Sequence, residues 1–381
     1  MPKTALLNSS ITKVLKAYWI AEAIRFLAAF VLAVEIFRRL DISDYAIYAI
    51  VQSLSAVAAL LFTFNIDSSM QKVFSRKLLV RYANLSYFVL LVLFLCLGAV
   101  LLITTSVIFP DAVPLLFGGR SLSVPLLMGY MFSLAINGYL QSYFNASGKT
   151  MLYSISVFIQ PVVLLILMLT NNITALENLL FYAAISYSLP ILLVVANLYK
   201  LESFRFRPTR CVRVVRYIIS YSLPSFPALG SKLVLEYFAR ISVLAVSGEV
   251  GVAALALVNT IFSIFRSIEK AFYRAVAPFI ISPKSTDDEV NIMRRIVIFK
   301  SGFIILLFSL SVYWVLLLEL VFPEKPADVF NALLLCIMAL VYVFSLWKNY
   351  YMTFCKKHSR TIRKFFKVAT LHNIVAIAVV L

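Results

Sequence analysis

YIISYSLPSFPALGSKLVLEYFARISVLAV, residues 217–246, has the length and apolar content of a membrane span, yet it carries Lys232, Glu236 and Arg240 at intervals of four. Each charge at a bilayer centre costs roughly 2.5 to 3.5 kcal/mol even on the lenient insertion scale. Residues four apart share one face of a helix, so the three charges make a single stripe that calls for a polar surrounding. Pro224, Pro227 and Gly230 precede the stripe. Missing main-chain donors there predict a kink or hinge in a segment that otherwise runs from 214 to 246.

The rest of the chain sets the context for that stretch. Of its 381 residues, 62% are hydrophobic and 14% charged, too little polar surface to coat a water-soluble globule. Apolar segments of spanning length recur near residues 17–37, 45–66, 83–109, 122–144, 150–170, 178–199, 214–246, 250–273, 296–322 and 328–347. An eleventh begins near Phe366 and reaches Leu381 after 16 residues, against about 20 needed to cross about 30 Å of hydrocarbon. The reading is an all-α polytopic membrane protein with about eleven spans visible. Glu22 and Arg25 interrupt the first apolar stretch and no small-residue cleavage site follows, so it reads as an uncleaved span.

Charge placement predicts the orientation. With the N-terminus in the cytoplasm, 26 of the 35 Lys and Arg fall in inner segments and four, Arg38, Arg39, Arg120 and Lys325, in outer loops. That asymmetry follows the positive-inside rule with every span alternating. It also accounts for the net charge of +18 without nucleic acid, because the charges are scattered through short loops and form no basic face on a soluble domain. The four cysteines, Cys96, Cys211, Cys336 and Cys355, show no paired spacing, so neither a disulfide framework nor a metal site is expected.

Five basic residues remain inside the membrane: Arg25, Lys232, Arg240, Arg266 and Lys270. They fall in the first, seventh and eighth spans, on stripes with Tyr18 and Glu22, with Glu236, and with Asn259, Ser263 and Glu269. The second span adds Gln52 and Ser55, then Asn65 and Asp67 near its inner end. Counted from the span ends, Glu22, Arg25, Arg266 and Lys270 lie in the cytoplasmic half, Lys232 near the middle and Arg240 toward the outside. Pairs four residues apart could act as static glue between helices. Across the stripes, however, five cations face three anions, Glu22, Glu236 and Glu269. The surplus positive charge predicts an anionic cargo bound by the cations, with Glu22, Gln52, Asp67, Glu236 and Asn259 as auxiliary polar or ion-coupling groups.

An internal repeat divides the chain. DISDYAIYAIVQ (41–52) aligns with GEVGVAALALVN (248–259), setting Gln52 against Asn259. The halves are residues 1–200, a six-helix lobe, and 214–381, joined by a basic cytoplasmic linker at 201–213. Repeats of this kind place a transport site at the interface between the halves.

SDYAIYAIVQSLSAVAALLFTFNIDSSMQKVFSR (43–76) resembles the second span and following basic loop of bacterial polysaccharide-biosynthesis flippases. These are the O-antigen (Wzx-type) branch of the multidrug/oligosaccharidyl-lipid/polysaccharide (MOP) exporter superfamily. YSLPSFPALGSKLVLEYFARISVLAVSGEVGVAALALVNTIFSIFRSIEKAFYRAVAPF (221–279) is similar to that family's seventh and eighth spans. The resemblance implies two six-helix bundles of MATE-like architecture, twelve spans, and a V-shaped cavity lined by the first, second, seventh and eighth. It implies movement of an undecaprenyl-pyrophosphate-linked oligosaccharide across the bacterial inner membrane, among membrane lipids and other polysaccharide assembly proteins. Coupling would come from H+, Na+ or the membrane potential, with no cofactor. Where the family carries an arginine or aspartate at the end of the seventh span, this chain has Ala239 and Arg240, with Glu236 as the acidic member.

Two other classes fit less well. A MATE-like drug exporter calls for an acidic, aromatic cavity, whereas this interior is net basic. A membrane enzyme of the same pathway, a polymerase or acyltransferase, calls for a large outer loop or a buried histidine, but the outer loops near 109–121 and 320–328 are short, His358 lies in an inner loop and His372 in the incomplete last span. GKT at 148–150 lacks the upstream glycine of a phosphate-binding loop and reads as a turn, and the Asn137, Gln141, Asn145 stripe reads as interhelical bonding.

Overall fold

A computed structural model describes Ile20, residues 23–25, 27–74, 77–111, 122–147, 149–171, 173–198 and 208–281, with isolated positions at 114, 117, 120 and 302. The described residues are helical apart from short turns. Helix α1 covers residues 27–39, α2 Ile42–Thr63, α3 Met70–Phe74, α4 Lys77–Ile108, α5 Val124–Ala146, α6 Thr150–Thr170, α7 Leu176–Leu198, α8 Pro208–Ser222 and α9 Phe226–Ile281. A single 3-10 turn, Ile66–Ser69, joins α2 to α3.

Helix lengths follow from the apolar runs. Ile42–Thr63, Tyr82–Ile108, Met151–Thr170 and Phe226–Thr260 are long and apolar enough to cross a membrane. The chain is a membrane protein, and the spans expected near 45–66, 83–109, 122–144, 150–170 and 178–199 each coincide with one helix. Those expected at 296–322, 328–347 and beyond Phe366 lie outside the described residues.

The described residues up to Ser242 form one compact unit, and those from Val243 belong to another. In the first unit α5 is central, packing on α2, α6 and α7, while α4 packs on α2 and α8. The α2 face is almost wholly buried from Tyr45 to Val51, whereas Phe88, Leu93, Leu97, Val100 and Leu101 of α4 are more than half exposed. An apolar surface of that size belongs against lipid tails. At the end of the unit where α2 meets α3, Met70, Tyr82, Tyr87, Tyr139, Phe144, Tyr153, Val214 and Ile218 make a hydrophobic cluster. Gly98 permits close contact between α4 and α2, because a Cβ on it would overlap the Phe62 ring. In the second unit Val252, Ala253 and Leu257 are buried, and Gly251 sits so close to Ser247 that a side chain would crowd it.

Two boundaries differ from the sequence expectation. The proline-rich segment is not one bent helix: α8 ends at Ser222, a turn covers 223–225, and α9 starts at Phe226. Pro224 occupies the turn, and Pro227 is the second residue of α9, where a missing N–H leaves nothing unbonded. The stretch expected as linker up to residue 213 is helical from Pro208, because Arg213 and Arg216 fall at helical spacing on the side away from the buried Val214 and Ile218. Further on, the helical run is kinked at Gly248, whose φ of 65° and ψ of −164° suit a residue without a Cβ.

Candidate functional site

Helices α2 and the first part of α9 run antiparallel along a seam inside the first unit. At one end Phe64 stacks on Phe226, with ring centroids 4.7 Å apart, and Asn65 Nδ2 donates to Ser225 Oγ at 2.8 Å. One turn on, Gly230 faces Leu60. Toward the other end Arg240 Nη1 donates to the main-chain carbonyl of Ala49. Each step back along α2 in these pairings is matched by nearly the same step forward along α9, as it must be for two antiparallel helices of equal rise.

The charged stripe flanks this seam. Lys232 Nζ lies 3.5 Å from Glu236 Oε1, and their side chains are 50% and 46% exposed. Half-exposed charges cannot face hydrocarbon within a spanning helix, so their surroundings are wet. Gln52 is also exposed, one turn along α2 from Ala49. At 3.6 residues per turn, Gln52, Lys232 and Glu236 project to the same flank. Arg240 is partly buried; its Nε has no hydrogen-bond partner, and no carboxylate lies within ion-pair distance of it among the described residues. A guanidinium satisfied only by a helix carbonyl keeps donor capacity for a second acceptor.

A second polar path runs into the unit. Tyr48 on α2 is hydrogen-bonded to Gln52 and to Tyr130 on α5, and Tyr130 is hydrogen-bonded to Tyr187 on α7. The rings of Tyr130 and Tyr187 meet edge to face at 5.9 Å. Arg25, partly buried on the helical turn at 23–25, interacts electrostatically with Tyr187. Two residues that the sequence points to, Arg25 and Gln52, thus sit at the ends of one chain of tyrosine hydroxyls. Sequence reasoning misses the tyrosines themselves. Tyr48 is four residues from Gln52, a usable signal, but Tyr130 and Tyr187 arrive from helices whose contact no spacing reveals.

The remaining candidates divide. Asp67 accepts from Ser142 Oγ at 3.2 Å and ties the 3-10 turn to α5. Asn259 is partly buried in the second unit. Arg266 and Lys270 stand on the helical run of α9, but their side chains, like Glu22 as a whole, lie outside the described residues. Gln141 donates to Asn137 Oδ1 at 3.3 Å and to the Ser156 carbonyl at 3.4 Å, so that stripe bonds α5 to α6 as expected. Among the described residues no group of three or more His, Cys, Asp or Glu could hold a metal.

Two of the exceptions to the charge rule, Arg39 and Arg120, have structural partners. Arg39 Nε pairs with Glu35 at 3.1 Å and its Nη1 donates to the Met168 carbonyl at 2.5 Å, and Arg120 pairs with Asp44. These arginines, expected in outer loops, fasten neighbouring segments rather than serve a ligand.

No family model and no curated protein sequence matches the chain. A crystal structure of a point mutant of the Vibrio cholerae MATE transporter VcmN matches with a TM-score of 0.51 and 15% identity, over 98% of this chain and 96% of that one. The same transporter in its bent form matches with a TM-score of 0.48 and 16% identity over the same shares. The first of these matches shows the fold, the all-helical fold of the MATE transporters.

Proposed function

We propose that the protein is a flippase for lipid-linked oligosaccharides, moving an undecaprenyl-pyrophosphate-linked polysaccharide unit from the cytoplasmic to the outer leaflet of a bacterial inner membrane. The observation that carries this reading is the charge of the α2–α9 flank: Glu236 pairs with Lys232, while Arg240 is bonded to the Ala49 carbonyl and retains an unbonded Nε. An anion as large as pyrophosphate cannot enter hydrocarbon without compensation. Arginine forks suit phosphate oxygens.

In this scheme Arg25, Arg266 and Lys270 meet the pyrophosphate from the cytoplasmic side, Lys232 holds it at mid-membrane and Arg240 receives it toward the outside. Sugar hydroxyls lie against Gln52, Asn259 and the tyrosine path, while the prenyl tail stays in lipid. With a cytoplasm-negative potential, outward movement of an anion is favoured by roughly 2.3 kcal/mol per charge per 100 mV. The potential can thus drive export, with H+ or Na+ as an additional coupling ion through Glu22, Asp67 or Glu236. The protein acts as a transporter and not as an enzyme.

A second reading is favoured by the fold: export of small molecules, since the matched structures are described as MATE transporters. Proteoliposomes separate the two. Flipping of a fluorescent pyrophosphate-linked glycan, stimulated by an outside-positive potential, is the expected result. Uptake of a cationic dye without glycan flipping would discard the flippase in favour of the exporter.

A further inference from the structure

We propose that α8 is an interfacial anchor that binds the anionic phospholipid headgroups of the leaflet at the α2–α3 end of the protein. The helix divides lengthwise. Val214 and Ile218 are buried in a cluster with α4 and the 3-10 turn, and Ser222 is buried further along the helix. On the opposite side Val212 is 60% exposed and Ile219 39%, and Leu223 in the following turn continues that line. Arg213 and Arg216 are exposed beside this apolar line. An apolar edge bordered by arginines is the pattern of a helix lying in the membrane plane, with its edge among acyl chains and its cations among headgroups.

The neighbouring helix supplies an independent level mark. Arg210 Nη1 donates to Tyr82 Oη at 3.3 Å, with its guanidinium carbon 5.6 Å from the Tyr82 ring centre. The exposed apolar band of α4 begins at Phe88, about 9 Å further along the helix at 1.5 Å per residue. The α8 helix is therefore pinned at the rim of the lipid-facing band, at headgroup depth. No Asp or Glu occurs between Glu202 and Glu236, so the arginines have no acid on their own helix and the charge complement is anionic lipid.

The anchor has a mechanical consequence. A short turn, 223–225, separates α8 from Phe226, and Ser225 and Phe226 hold the first end of the α2–α9 seam. Lipid binding at α8 therefore steadies the entry of α9.

The test is hydrogen–deuterium exchange of the full chain in nanodiscs of phosphatidylcholine with and without about 30 mol% phosphatidylglycerol, which supplies headgroup charge of the order found in anionic leaflets. Phosphatidylglycerol is expected to slow exchange across residues 208–222 at least about threefold in the wild type, since exchange reports local opening of the helix. The R213Q/R216Q variant should lose that effect, and R213K/R216K should retain it. Equal protection in both lipids, or a response unchanged in R213Q/R216Q, overturns the proposal. So does protection that rises with protein loading, the signature of a second copy covering the face. The measurement uses no transported cargo, so its outcome is independent of the flippase reading.

Discussion

Arg240 of α9 donates its Nη1 hydrogen to the carbonyl of Ala49 in α2, closing a seam whose opposite end is the Phe64–Phe226 stack. A cation is thus held by a helix backbone instead of a carboxylate. A main-chain carbonyl is a weaker partner than phosphate oxygen, so on the proposed flippase reading this contact holds the seam without cargo and yields to an anionic headgroup.

Replacing Arg240 with Met tests that role. The aliphatic part of the side chain is kept and a partly unbonded charge is removed, a change that is often neutral or stabilising. The melting temperature is expected to stay within a few degrees, while glycan flipping falls at least about tenfold, the loss of a charge-assisted contact of about 1.5–3 kcal/mol. Melting in detergent and flipping in proteoliposomes, read on the same preparation, check both.

Lys232 and Glu236 are half exposed, and exposed ion pairs contribute about 0–1 kcal/mol. A double-mutant cycle of Lys232→Ala and Glu236→Ala should give a coupling within that range in chemical denaturation. Flipping should respond asymmetrically: Lys232→Ala slows it, whereas Glu236→Gln, which frees the lysine, tightens binding of a pyrophosphate headgroup.

Tyr130 is the middle of the hydroxyl path and is 1% exposed. Tyr130→Phe leaves Tyr48 and Tyr187 short of a partner in a buried setting, at about 1–3 kcal/mol. The expected readout is a lower melting temperature than that of Tyr182→Phe on the same helix as Tyr187, a residue whose side chain is not in this path.

Two glycines test the backbone. Gly98→Ala should destabilise the protein because its Cβ meets Phe62, and Phe62→Leu in the same chain should restore part of the loss. At Gly248 nothing stands within 4 Å of the place a methyl would take, so Gly248→Ala should cost only the strain of its positive φ, about 1–3 kcal/mol, with no rescue by trimming neighbours. Melting temperatures of the single and double variants in detergent check both.

Sequence and structure agree wherever the physics is local. The break before Phe226 is legible as a kink because proline acts on its own stretch of backbone. That α8 is a helix is hidden by Arg213 and Arg216, which count equally toward a loop and toward one face of a surface helix. The Lys232–Glu236 pair follows from a spacing of four. The Tyr48–Tyr130–Tyr187 path does not, because α2, α5 and α7 are far apart in the chain.

Taken alone, the sequence determined that the chain lives in a membrane, where its described spans lie, and that positive charge is carried into them. Those properties rest on length, hydropathy and helical period, which act within one segment. Tertiary structure decided which cation has an acid and which a carbonyl, that Asp67 serves α5, and that Arg25 and Gln52 are joined through tyrosines. Such choices depend on side chains a few ångströms apart on different helices, and no one-dimensional period encodes that distance.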